Sequence, residues 1–142
     1  MALNQPRKVQ ERAGTKAGHR IKSDSPTIWQ GALVALKAGE AIPAREGVGA
    51  DNAAKAAEVA THVVVGVAEE TKTPADQTVP TKATVLLLDN KSDDLVTRSE
   101  IGKACYAFDD HTVSKTSPNN TRAKAGTVID VEDAGVWVRV GF

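Results

Sequence analysis

Large apolar residues in this chain come in short β-branched runs and never in a long helical repeat, and this decides what it can fold into. Thr61-His62-Val63-Val64-Val65-Gly66-Val67-Ala68 carries no formal charge until Glu69. Such a run predicts a central strand. Thr84-Val85-Leu86-Leu87-Leu88 predicts another, closed by the charged turn from Asp89 to Asp94. Near the end, 126–131 and 135–140 are two runs separated by Glu132-Asp133-Ala134, which reads as a hairpin. In its second strand Val136, Val138 and Val140 share one face while Trp137 and Arg139 share the other, so the second face is partly covered or kept for contact.

The remaining runs are shorter. Thr27-Ile28-Trp29 and Leu33-Val34-Ala35-Leu36 read as strand, kink at Gly31, and strand. Ile42-Pro43-Ala44 suits an edge, because proline cannot donate to a central ladder. Residues 52–60 are alanine-rich, with Asp51 placed to cap a short helix. Thr71 to Lys82, with Pro74 and Pro80, reads as an exposed excursion. Cys105 to Phe108 and Thr112 to Ser114 form a hairpin pattern around Asp109-Asp110. Six to eight short strands and at most one or two short helices result, and no repeat is clear enough to support a solenoid. The expected fold is mainly β, a compact small barrel or sandwich with an extended basic N-terminal arm.

That arm rests on charge. The 142 residues carry 18 basic and 18 acidic side chains. A net charge of zero gives no whole-chain reason to expect nucleic acid or an anionic membrane as partner. Yet Arg7, Lys8, Arg12, Lys16, Arg20 and Lys22 precede Ser25 against only Glu11 and Asp24. With few large aliphatics to repay ordering, residues 1–25 are expected to form a flexible basic arm and 26–142 the β-rich body. No segment has the roughly 20 apolar residues of a membrane span, nor does the N-terminus read as a secretory signal.

Chemistry-bearing groups are sparse. The single cysteine, Cys105, excludes an internal disulfide and lies in an apolar run that suits a buried core thiol. The Asp89 to Asp94 turn offers oxygen ligands but lacks the glycine and terminal glutamate of a calcium loop, and reads as a solvated turn. Asp109-Asp110-His111 has acid, base and ligand atoms, yet carboxylates at a hairpin tip serve the turn itself. His19 and His62 are too far apart in sequence to suggest a joint site. Gly47-Val48-Gly49-Ala50-Asp51-Asn52 matches neither a dinucleotide loop nor a P-loop, and no nucleophile elbow occurs. The expectation is a structural or binding module, not an enzyme, with no cofactor and no metal.

Four stretches carry a resemblance: 31–44 (Gly-Ala-Leu-Val-Ala-Leu-Lys-Ala-Gly-Glu-Ala-Ile-Pro-Ala), 65–70 (Val-Gly-Val-Ala-Glu-Glu), 102–114 (Gly-Lys-Ala-Cys-Tyr-Ala-Phe-Asp-Asp-His-Thr-Val-Ser), and 125–131 with 135–140. In this order they resemble the capsid decoration, or cement, proteins of tailed bacteriophages. The resemblance implies a late structural protein of the virion, made in the host cytoplasm. It implies a homotrimer on the outer surface of the expanded capsid, clamping neighbouring major capsid protein subunits. The arm residues Arg7, Lys8, Arg12, Lys16, Arg20 and Lys22 would then lie on the capsid, and Trp29, Trp137 and Arg139 would meet a neighbouring copy or the capsid. Neither nucleic acid nor a membrane is expected as partner. The chain departs from the family in its longer 71–82 excursion and its long arm. Competing readings are a head-tail connector or tail component, and a β-sheet binding module unrelated to virions.

Overall fold

A computed structural model describes residues 16–141. It contains ten strands and one α-helix: β1 (Lys16–Arg20), β2 (Leu33–Lys37), β3 (Glu40–Pro43), α1 (Asn52–Val59), β4 (His62–Ala68), β5 (Thr78–Lys82), β6 (Val85–Asn90), β7 (Ala104–Ala107), β8 (Thr112–Ser114), β9 (Lys124–Glu132) and β10 (Gly135–Val140). The first five strands form a sheet in the order β1-β5-β4-β2-β3, and the last five close a barrel in the order β10-β6-β8-β7-β9. The mainly-β expectation with at most one or two short helices is met, and the ten strands exceed the six to eight expected.

Side-chain alternation explains the layers. Along β2, Leu33 and Ala35 point into a core shared with the barrel, while Val34 points to the opposite face of the sheet. The shared core takes Ile42, Ala44 and Val64 from the sheet, and Leu88, Cys105, Val113, Val128, Val136, Val138 and Val140 from the barrel. A second core on the other face gathers Ile21, Ile28, Val34, Ala41, Val65 and Val79. The sheet curls around that second core until its edge strands touch: Ile21 and Ala41 make a parallel bridge, and Lys22 N–H donates to the Ala41 carbonyl at 3.0 Å.

Three sequence expectations are corrected here. The first concerns the arm: residues 16–25 belong to the body, because β1 pairs with β5 from Lys16↔Lys82 to Arg20↔Thr78 and Ile21 and Ser25 are buried. Arg7, Lys8 and Arg12 lie outside the described residues. The second concerns the 71–82 excursion, which ends in β5. Val79 and Thr81 point inward and are almost fully buried, and Pro80 lies between them opposite Gly18, its carbonyl accepting from Glu69 N–H. Thr27-Ile28-Trp29, read as a strand, contributes only an isolated bridge from Ile28 to Lys72.

The sequence carries no solenoid repeat, yet the described residues form two related halves. The two halves have the same strand order, β1-β5-β4-β2-β3 matching β6-β10-β9-β7-β8, and each has one parallel contact, between its first and third strands. Their details coincide. Val34 pairs with Gly66 just before a bulge, and Cys105 pairs with Gly126 just before another. Gly31 N–H donates to the Ala68 carbonyl, as Gly102 N–H does to Val128, and both glycines have φ near +90° (90° and 87°). Lys22 N–H meets the Ala41 carbonyl as Lys91 N–H meets Val113. Each lysine begins a Lys-Ser-Asp turn, 22–24 and 91–93, whose Lys and Asp form an ion pair. The chain is a tandem pair of one β unit.

The two units do not pack as equals. One face of the first sheet rests on the shared core of the barrel, whereas the matching barrel positions Ala104, Tyr106 and Lys124 are partly or fully exposed. Between β3 and β4 the first unit inserts α1, too short at eight residues to persist alone. Asp51 caps it by accepting from Ala54 N–H at 2.8 Å, Val59 is buried beneath it, and Glu58 ties it to the sheet.

Candidate functional site

One face with adjacent exposed apolar side chains is the outside of the barrel across β6, β10 and β9. Strand alternation that sends Leu88, Val136, Val138 and Val140 inward sends Val85, Leu87, Trp137 and Arg139 outward. Leu87 stands beside Trp137 and Val85 beside Arg139 in the β6–β10 register. Val85 and Leu87 remain 41% and 42% exposed, a real cost for side chains of this kind unless something covers them. Beside this strip runs an open groove of about 610 Å³, lined in part by Val85, Lys124, Thr127, Arg139 and Gly141. Neither Lys124 nor Arg139 has a carboxylate partner within ion-pair distance among the described residues.

The repeat shows that this strip is not a demand of the fold. Matching positions in the first unit, set by the Lys16↔Lys82 and Gly18↔Pro80 pairings, are Lys16 for Val85, Gly18 for Leu87, Pro80 for Trp137 and Lys82 for Arg139. A unit of this topology thus folds with polar or small residues there. The expected contact role of Trp137 and Arg139 gains a surface around it, with Val85 and Leu87 as members the sequence reading missed. Their signal was the alternation of the 84–88 run, whose odd positions match those of β10.

Trp29, the third expected contact residue, is far more exposed at 64%. It sits on a tight turn: Ala32 N–H donates to its carbonyl, and Gly31 follows at a φ of +90°. The turn is pinned by Gln30 N–H to Thr71 Oγ1 at 3.0 Å. Its counterpart in the second unit, fixed by the Lys103 N–H to Glu100 carbonyl bond, is Glu100. Of the basic residues, Lys16 pairs with Glu69 at 3.3 Å, Arg20 approaches Glu40 at 3.9 Å and Lys22 pairs with Asp24. All three hold positions on or beside the folded sheet.

The other chemical groups are engaged locally. Burial pushes the Cys105 thiol up to about 12, so it stays a protonated core group. Asp109 Oδ1 accepts from the His111 and Thr112 backbone N–H groups at 2.9 and 2.7 Å, and Asp110 holds His111 Nδ1 at 2.8 Å. These three side chains lie close enough to share a cation, but the carboxylates already stabilise the hairpin tip. In the 89–94 turn, Asp94 accepts from Thr116 and from Arg122, and Arg122 also bonds Glu46 across to the first unit at 2.8 Å. Glu58 gathers Arg45, Lys37 and His62 around one carboxylate. Burial pushes that carboxyl up, but the hydrogen bonds from Arg45 and Lys37 outweigh it and hold the group at about 2. His62, its side chain wholly buried, is held below the ordinary histidine range by desolvation, against the pull of Glu58. His19 lies in β1, apart from that cluster.

No protein-family model, curated protein or solved structure matches this chain.

Proposed function

We propose that the chain is a structural virion protein that binds the outer surface of an expanded phage capsid and stabilises contacts between major capsid protein subunits. It does so as a homotrimer and without a catalytic step, after synthesis in the host cytoplasm. The observation that supports a binding role is the apolar strip of Val85, Leu87 and Trp137, mounted on a closed barrel and bordered by Arg139 and Lys124. A rigid sheet holds these side chains in one plane, so little ordering entropy is lost on docking. Copies arrayed on a lattice then multiply modest contacts into firm attachment. The link to a capsid rests on the resemblance of residues 31–44, 65–70, 102–114 and 125–131 with 135–140 to decoration proteins. Residues 1–15, with Arg7, Lys8 and Arg12, belong to the same proposal as a capsid contact.

Cryo-electron microscopy of the protein mixed with expanded and unexpanded shells of the candidate phage tests this reading. Density on expanded shells alone, at threefold or quasi-threefold positions, is the expected result. Bare shells of both kinds overturn it and favour a connector or tail component, or a β module outside the virion.

A further inference from the structure

Comparing the two units position by position isolates the surface residues that the shared topology does not explain. Among the exposed apolar residues, Trp29 of the first unit stands where the second has Glu100, and the strip of Val85, Leu87 and Trp137 stands where the first has Lys16, Gly18 and Pro80. One is a projecting indole on a pinned turn, and the other is an apolar surface beside an open groove of about 610 Å³. Among the described residues each occurs once.

We propose that copies of this chain associate head to tail, with Trp29 of one copy seated in the groove beside Val85 and Leu87 of the next. The charges around the two features fit this occupant. The groove is bordered by Lys124 and Arg139, cations that favour the face of an indole. The Trp29 turn hydrogen-bonds to the segment carrying Glu69 and Glu70, acidic side chains whose present partners Lys16 and Lys72 form exposed pairs at 3.3 and 3.5 Å. Exposed pairs of that kind are worth little and exchange readily for a better-shielded cation. Since the two features lie on different units, the contact is heterologous, and each copy offers one projecting and one receiving surface. Repeated with a closing rotation it makes a ring, and otherwise a filament. This inference deepens the self-assembly part of the function proposed above. It is tested without any capsid, so its failure leaves capsid binding to be judged by microscopy alone.

The experiment is sedimentation velocity on the full chain and two single variants. Trp29→Ala removes the projecting side chain from an exposed turn; Val85→Lys installs the residue that the first unit carries at the same register, so both folds should survive, as circular dichroism melts will verify. The wild type should sediment as a multiple of the 14.9 kDa chain. Each variant should weaken association at least roughly thirtyfold, the scale of an interface hot spot. An equimolar mixture of the two should form a species of two copies, because Val85→Lys still supplies Trp29 and Trp29→Ala still supplies the groove. A monomeric wild type at the highest soluble concentration overturns the proposal. So does an associating Trp29→Ala chain, or a variant mixture that stays monomeric; if only Val85→Lys dissociates, the strip meets its own copy face to face.

Discussion

Gly66 and Gly126 hold the same station in the two units, each pressed against the backbone of the neighbouring strand. A Cβ on Gly66 would lie 2.5 Å from the Lys82 carbonyl oxygen, and one on Gly126 would lie 2.0 Å from that of Arg139. Lys82 and Arg139 are themselves matched positions, so the two close approaches are one feature used twice. Each glycine lets a bulged strand bend over its neighbour without losing the ladder.

Gly126→Ala should therefore destabilise the protein by roughly 1–3 kcal/mol through forced strand separation. Gly66→Ala should act in the same direction, adding the strain of a φ of +156° to the clash with Lys82. Urea denaturation measures both. By contrast, Gly18→Ala, where a Cβ meets nothing within 4 Å, should leave the midpoint nearly unchanged. Equal midpoints for Gly126→Ala and Gly18→Ala would show that the close approach relaxes at no cost.

Acid should weaken the fold in two steps that share a direction. His62 has its pKa lowered by burial, so the unfolded chain takes up a proton more readily, and stability falls as pH drops below the ordinary value of 6.5. Glu58 titrates at about 2 in the fold against 4.5 as a free side chain. Its contribution is complete above 4.5 and is lost as pH falls towards 2. At about 1.4 kcal/mol per tenfold change this amounts to roughly 3 kcal/mol. Glu58→Gln should lose that stability at pH 7, and its deficit should shrink between pH 4.5 and 2. Urea midpoints across that range check it, and a deficit that ignores pH would mean the carboxylate is not what ties α1 to Lys37, Arg45 and His62.

Asn90 closes the loop between β6 and β7 with both ends of its amide. It donates to the Val96 carbonyl at 2.8 Å and accepts from the Val96 N–H at 2.9 Å. Val96 is almost wholly buried, so Asn90→Ala would strand a backbone donor and acceptor away from water. A loss of about 2 kcal/mol or more follows, with faster amide exchange at Val96 as its local signature. An unchanged exchange rate would show that the loop finds other partners. The matched residue in the first unit is Ile21, which fills the same register with apolar volume.

Local pattern was easy to read, and global arrangement was not. The runs at 33–36, 61–68, 84–88, 105–108, 126–131 and 135–140 each contain or overlap a strand, because period-two alternation and turn residues act over a few positions. The helix at 52–59 followed from its alanines and from Asp51. β1 and β5 were missed for the same kind of reason: Lys16-Ala17-Gly18-His19-Arg20 and Thr78-Val79-Pro80-Thr81-Lys82 are polar strands of low intrinsic preference, held by pairing with each other and by Ile21 and Val79 inside. The duplication left few identical signposts, among them Lys-Ser-Asp at 22–24 and 91–93 and a few glycines. Loops of unequal length between matched strands, α1 above all, erase any fixed period. Of the contact face, Trp137 and Arg139 followed from alternation within one strand. Val85 and Leu87 joined them only when β6 was seen to lie beside β10.

Matched strands in one chain also create a traffic problem during folding. β1 and β6 have interchangeable places in the two strand orders, and so do β5 and β10, so an emerging chain can thread a strand into the wrong unit. What distinguishes the slots is their lining. The β1 slot receives Ala17 and His19 opposite Thr81 and Val79, while the β6 slot receives Leu86 and Leu88 opposite Val138 and Val136. Leucines in the first slot would crowd Thr81 and Val79, and Ala17 in the second would leave the space that Leu86 occupies underfilled. Divergence between the copies thus acts as the sorting code that lets two alike units assemble side by side without exchanging parts.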